Sequence, residues 1–149
     1  MVSLRVRLAA IIIDKNKLLL IHRKKEQREY WVFPGGGLGE KETYEKGIKR
    51  EVFEETGLEI RPIKLLYKLK GGEIKNFHLY YFCQLVGKGK LKFTGPEKEK
   101  SKDQVYKPEW ISISKIAKMP VLPEEIKKAF LIDLSNNFVD CPKEISLDT

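Results

Sequence analysis

Three glutamates, Glu51, Glu54 and Glu55, carry the strongest chemical signal in the chain. They stand at i, i+3 and i+4, so on a helix they share one arc of about 100 degrees. Carboxylates crowded in this way repel one another. A hard divalent cation removes the conflict, because it takes oxygen ligands in octahedral geometry. Just upstream lies the glycine-rich run Gly35, Gly36, Gly37 and Gly39. Its backbone can approach a phosphate closely, and a helix that starts after it favours an anion. A solvated Glu-rich helix face is the ordinary alternative. Gly47 weighs against that alternative, since a mid-helix glycine costs about 1 kcal/mol relative to alanine. It sits one turn before Glu51, where close backbone approach is useful.

These residues need elements to hold them. Tyr44, Ile48 and Val52 recur every four residues, which predicts a helix over Thr43 to Thr56. Thr43 is the expected N-cap and Gly57 the C-terminal stop. Upstream, Leu4, Val6 and Leu8 alternate with Arg5 and Arg7 before the apolar run to Ile13, a strand entering a core. Leu18 to Arg23 continues as a second strand, Lys24 to Glu29 as a charged loop, and Tyr30 to Phe33 as a short aromatic strand halted by Pro34. Trp31 and Phe33 are expected in the core. Downstream, Ile63 to Leu69 and Ile74 to Val86 read as strands around Gly71-Gly72. Short strands are expected at Leu91 to Phe93 and Trp110 to Ile113, with a long charged loop between, Thr94 to Lys107. Ser114 is the expected cap of a brief helix. A final helix runs from Pro123 to about Leu134, and the tail from about 135 carries no clear period. Strands and helices mix without strict alternation, so the fold expected is α/β, with a mixed sheet and helices packed on it.

Composition narrows the classes. The 149 residues suit a single domain, 42% hydrophobic and 34% charged, which excludes disordered and fibrous chains. The uncharged stretch Phe77 to Gly87 is far short of a membrane span, and Leu8 to Ile13 lacks the features of a signal peptide. Cys83 and Cys141 form neither a disulfide framework nor a zinc pattern. A cytoplasmic protein with free thiols is expected. The net charge of +8 points to an anionic partner. Yet Glu40 to Glu59 holds seven Glu against four bases, an acidic island that a cation would explain.

Gly36, five residues, Glu42, seven residues, Arg50-Glu51, Val52, one residue, Glu54-Glu55, one residue, Gly57 and Leu58 together match the Nudix box at every defined position. With seven fixed positions at roughly 6% usage, a chance match anywhere in the chain is on the order of 10⁻⁷. The Trp31 to Pro34 strand before the glycines and the later Glu109-Trp110 strand also resemble the family. The resemblance spans residues 4 to about 134. It implies an α/β/α sandwich with a mixed sheet and Mg2+- or Mn2+-dependent hydrolysis of a nucleoside diphosphate linked to another moiety. By motif position it makes Glu51, Glu54 and Glu55 the metal ligands. Arg50 becomes the organiser of the cluster with Glu42 as partner, and Gly36 and Gly37 shape the substrate loop. Glu54 or Glu51 could serve as general base, as could Glu97, Glu99 or Asp103 of the long loop.

Substrate marks of the ADP-ribose subgroup are missing at Glu73 and Ile74, and those of the dinucleoside polyphosphate subgroup at Ile74 to Asn76. The NADH-type and coenzyme A-type patterns are absent as well. What remains is similar to MutT-like nucleoside triphosphate pyrophosphohydrolases. Arg23 sits where those enzymes place an arginine near the nucleotide. Asn76, Phe77, His78 and Tyr80 offer stacking and hydrogen bonds to a base, Phe77 foremost, with His78 more ordinary as a plain strand residue. The reaction expected is cleavage of a nucleoside triphosphate to a monophosphate plus pyrophosphate. Removal of pyrophosphate from an RNA 5′ end is the second reading, and a non-catalytic nucleotide sensor the third. Neither a DNA duplex nor a membrane is an expected partner.

Overall fold

A computed structural model describes residues 6–72, 77–92 and 104–147. Asn76, Glu97, Glu99 and Asp103 lie outside the described residues. The strands are β1 (Val6–Asp14), β2 (Lys17–Lys25), β3 (Arg28–Val32), β4 (Gly35–Gly37), β5 (Glu59–Gly71), β6 (Phe77–Val86), β7 (Gln104–Ser112), β8 (Val121–Leu122) and β9 (Lys143–Leu147). The helices are α1 (Tyr44–Thr56), α2 (Ile113–Ile116) and α3 (Glu124–Leu134).

β1 organises the molecule because its two faces belong to different layers. Leu8, Ala10 and Ile12 pack with Ile48 and Val52 of α1. Ile11, from the opposite face, joins Ile116, Ile126 and Phe130 of the α2–α3 side. A period of two thus feeds two cores, giving helix, sheet and helix layers. The sheet order is β8-β3-β2-β1-β6-β5-β9, with β4 added to β1 and β7 to β2. It is mixed: β1–β6, β3–β8 and β5–β9 are parallel, and the other pairs antiparallel.

β1 meets β2 only at Ile13↔Leu18 and Asp14↔Lys17. Over its first half it pairs instead with β4 and β6. The sheet therefore splits into two wings sharing β1, one of β4, β5, β6 and β9, the other of β2, β3, β7 and β8. A cleft opens between them.

Several boundaries differ from the sequence reading. The expected loop Lys24 to Glu29 is a tight turn at Glu26-Gln27, because β2 and β3 pair out to Lys25↔Arg28. β7 begins at Gln104, so the expected Thr94 to Lys107 loop gives way to strand before its end. No strand forms at Leu91-Lys92. Ser112 occupies the cap position of α2 expected of Ser114, its hydroxyl bonded to the Ser114 hydroxyl at 3.0 Å and not to a helix amide. Of the residues that set the helical period, Ile48 and Val52 are buried, while Tyr44, the first residue of α1, is 42% exposed. Thr43 does cap α1, accepting from the Lys46 amide, and Gly57 ends it at φ 76.

The tail, which carries no clear period, forms β9 along β5. It is fixed by Asp133, buried on α3, which accepts from Tyr67 Oη at 2.7 Å and Lys143 Nζ at 2.6 Å. Burial pushes the Asp133 carboxyl upward, but Lys143 and Tyr67 outweigh it and hold it below the usual range. Both cysteines are free and buried, and burial lifts the Cys83 thiol to about 12.

Candidate active site

Arg50 is the centre of the site. Its Nε and one terminal nitrogen bind both oxygens of Glu42, at 2.7 and 2.9 Å. The other terminal nitrogen reaches Glu51 at 2.9 Å and Glu54 at 3.3 Å. A further bond goes to the Gly37 carbonyl at 3.1 Å. Glu42 also accepts from the Gly39 amide at 2.8 Å, so one arginine fastens the glycine loop to α1. The Arg50 bond, helped by Gly39, holds the Glu42 carboxyl down at about 2. In return Glu42, with Glu51 and Glu54, raises the guanidinium further above its ordinary value.

Glycines set the close approaches. A Cβ at Gly36 would overlap the Glu51 carboxylate, so that carboxylate lies directly on the loop backbone. A Cβ at Gly47 would come to 2.9 Å from both Leu38 and Leu8 and 3.1 Å from Glu42. The mid-helix glycine thus admits the loop and β1 against α1.

Glu55 points elsewhere. It accepts from the Gly35 amide at 2.6 Å and from the Tyr106 hydroxyl. Burial drives its carboxyl up to about 7, against the pull of those two donors, and the nearby Glu51 charge adds to the rise. A cation beside it would favour the charged form.

The cleft between the wings has a volume of about 270 Å³. Its lining includes Gly35, Gly36 and Glu55 with Arg7, His78, Arg23 and Tyr106, and Ala9, Val32, Phe33, Tyr80, Leu122 and Pro123. Arg7 and His78 are register partners on parallel strands, as are Ala9 and Tyr80. Phe33 stands edge-on to Tyr80 with centroids 5.7 Å apart. Burial, and then the Arg7 charge, lower the His78 pKa.

Of the expected substrate residues, Arg23 and Gly36 line this cleft. Gly37 does not, and instead lends its carbonyl to Arg50. Phe77 also lies off the cleft. It packs at the edge of the α1-side core, with Lys68 Nζ 4.4 Å from its ring centroid. The alternation of β6 explains the swap, since His78 and Tyr80 take the cleft face that Phe77 cannot share. Trp31 is half-buried and stacks on His22 at 4.4 Å, while Phe33 is both core and cleft wall. Arg7, Tyr106 and Leu122 are site residues that sequence reasoning misses. They enter through strand register, a long-range property without a local motif.

The donor set suits a hard divalent ion in kind: three carboxylates on one helix turn, one of them pressed on a glycine backbone and one desolvated. Among the described residues, no three His, Cys, Asp or Glu side chains are gathered into one coordination group. Glu51 and Glu54 lean toward Arg50, whereas Glu55 faces Gly35 and Tyr106.

The family model for the NUDIX domain matches residues 3–131. The chain belongs to the NUDIX domain family. NUDIX proteins are in general dependent on divalent metals, and the matched stretch contains the whole Arg50 network. An 8-oxo-dGTP diphosphatase of Buchnera aphidicola is 39% identical over 89 residues, 54% of this chain and 63% of the relative. An RNA pyrophosphohydrolase of Actinobacillus succinogenes is 38% identical over 60 residues, 40% of this chain and 30% of the relative. The chain thus spans less than two thirds of the length of these curated relatives. A NUDIX hydrolase structure from Nitrosomonas europaea superposes with a TM-score of 0.77 at 17% identity, covering 100% of this chain and 81% of the other. The MutT protein of Bacillus halodurans gives 0.63 at 24% identity, with 86% and 80% covered. These structures share the NUDIX fold, a mixed sheet between helices.

Proposed function

We propose that this chain hydrolyses a nucleoside triphosphate, or a related nucleoside diphosphate derivative, to a nucleoside monophosphate plus pyrophosphate or another phosphate-containing product. The observation that carries this is the mixed lining of one cleft: Gly36 and Glu55, next to the Arg50 network, share it with the aromatic and apolar walls of Phe33, Tyr80 and Leu122 and with Arg23. A phosphate chain suits the glycines, the carboxylate-held cation and the arginine, and a base suits the aromatic and apolar walls.

Glu51, Glu54 and Glu55 would hold the divalent ion, read here as Mg2+ or Mn2+. Its chemistry when bound is neutralisation of phosphate charge and activation of water. Arg50 fixes Glu51 and Glu54 in place, Gly35 and Tyr106 fix Glu55, and Gly36 lets the Glu51 carboxylate lie against the loop backbone. The general base is read as Glu54 or Glu51 of the helix, or as Glu97, Glu99 or Asp103, which lie outside the described residues. Retention of every box carboxylate, with its organising arginine engaged, favours catalysis over mere nucleotide sensing. No helix among the described residues is long and apolar enough to cross a membrane. A cytoplasmic nucleotide substrate fits this reading.

The test is a nucleotide panel assayed for monophosphate and pyrophosphate with Mg2+, Mn2+ or excess chelator. Activity is expected only with metal. Glu54→Gln should lose at least about 10²-fold in turnover, with an unchanged circular dichroism spectrum. Full activity in chelator, or wild-type turnover by a folded Glu54→Gln variant, overturns the proposal.

A further inference from the structure

We infer that the outer end of the β2–β3–β7 wing is a binding track for single-stranded nucleic acid leading into the cleft. It rests on the proposed reading of the cleft as the site of pyrophosphate release. It extends that reading to a substrate whose 5′ phosphates enter the cleft while the following nucleotides lie on the wing.

Cross-strand register supplies the first observation. Arg23 is the direct partner of both Tyr30 on β3 and Tyr106 on β7. Directly paired residues on antiparallel strands share a face. Arg23 Cζ lies 4.8 Å from the Tyr106 ring centroid and 6.0 Å from that of Tyr30. This row ends in the cleft, where the Tyr106 hydroxyl donates to Glu55.

A second row lies two residues further out on the same face. Lys25 pairs with Arg28, and Arg28 Cζ sits 5.0 Å from the Tyr30 centroid. Lys25 and Arg28 are exposed. Two nearby acids face the other way, Glu29 and Glu109, which both bind His22, at 2.8 and 3.1 Å, on the opposite face of β2, while Glu26 sits in the turn beyond Lys25. The track face thus keeps three cations and two tyrosines, in a chain of net charge +8.

This alternation of guanidinium, ring and cation is the chemistry that holds single strands. Unpaired bases stack on aromatic and guanidinium planes while phosphates meet the cations. A duplex hides its base faces and would gain only the charge contacts.

The test uses a fluorescein-labelled, 5′-triphosphorylated single strand of eight nucleotides, with free GTP as the small substrate. The double variant Lys25→Ala/Arg28→Ala leaves the cleft lining intact. Its Kd for the oligonucleotide should rise at least about tenfold. The log–log salt slope should fall by about 1.4, or about 0.7 for each phosphate no longer neutralised. The kcat/KM on the oligonucleotide should fall in parallel, while that on GTP stays within about twofold. An unchanged oligonucleotide Kd overturns the track, as does equal competition by duplex DNA and by the single strand. If the wild type binds the oligonucleotide but hydrolyses neither substrate, the catalytic reading fails. The binding arm then still decides the track.

Discussion

Arg50 grips Glu42 across eight residues of chain with two near-parallel hydrogen bonds of 2.7 and 2.9 Å. The same guanidinium reaches Glu51 and Glu54, so one cation serves three carboxylates. Arg50→Ala should therefore destabilise the metal-free protein by roughly 2 kcal/mol, below the value for a fully buried network because the site is partly screened. Glu54→Gln removes one negative charge and should leave metal-free stability unchanged or raised. Saturating Mg2+ should recover part of the Arg50→Ala loss. Melting temperatures of both variants, in chelator and in Mg2+, check this. If Arg50→Ala melts like wild type in chelator, the organising role is wrong.

The same pair predicts an acid dependence. The Glu42 carboxyl is held at about 2, below its ordinary 4.5. A depressed folded-state pKa contributes stability that is full above the unfolded value and lost as pH falls through the folded one. Glu42→Gln should accordingly lower the melting temperature near neutral pH. The gap from wild type should narrow below about pH 4.5 and close toward pH 2. A gap that stays constant across this range would refute the assignment.

Neighbouring glycines should respond differently. At Gly36 the nearest atoms a methyl group would meet are those of the Glu51 carboxylate, the movable end of a side chain, whereas at Gly37 it would meet nothing within 4 Å. Gly36→Ala should therefore cost little stability but displace Glu51, lowering kcat by at least about tenfold. Gly37→Ala should keep both stability and kcat near wild type. Steady-state kinetics beside thermal melts separate the two, and equal kcat values would count against the placement of Glu51.

Asp133 anchors the C-terminal strand. Asp133→Ala strands the Tyr67 hydroxyl in the core and removes the partner of Lys143, and should cost about 3 kcal/mol in urea unfolding. Tyr67→Phe, which takes away only a donor, should cost about 1 kcal/mol. Equal small losses would show that the buried bonds hold little of β9.

The part of the site readable from sequence is the part built from local spacing. Glu51, Glu54, Glu55 and Arg50 lie on one helix, and Thr43 and Gly57 mark its ends by chemistry that needs no tertiary contact. The cleft walls are less legible. His78 reaches Arg7 through a parallel pairing across 71 positions, and Tyr106 reaches Glu55 from another strand. Phe77 is by residue type the better stacking ring, yet the pleat turns it to the wrong face. β9 has a faint signal in the alternation of Ile145 and Leu147 with Glu144 and Ser146, but its partner β5 is far upstream.

That last strand has a practical meaning. The family match stops at residue 131, inside α3, while β9 lies beyond it and covers the outer side of β5 from Tyr67 to Gly71. A chain trimmed to the matched stretch would leave that row of amide and carbonyl groups bare, a ready template for pairing with another molecule. With β9 in place the open edge on that side is a strand of five residues, and its seat on the sheet runs through the Lys143–Asp133 clasp.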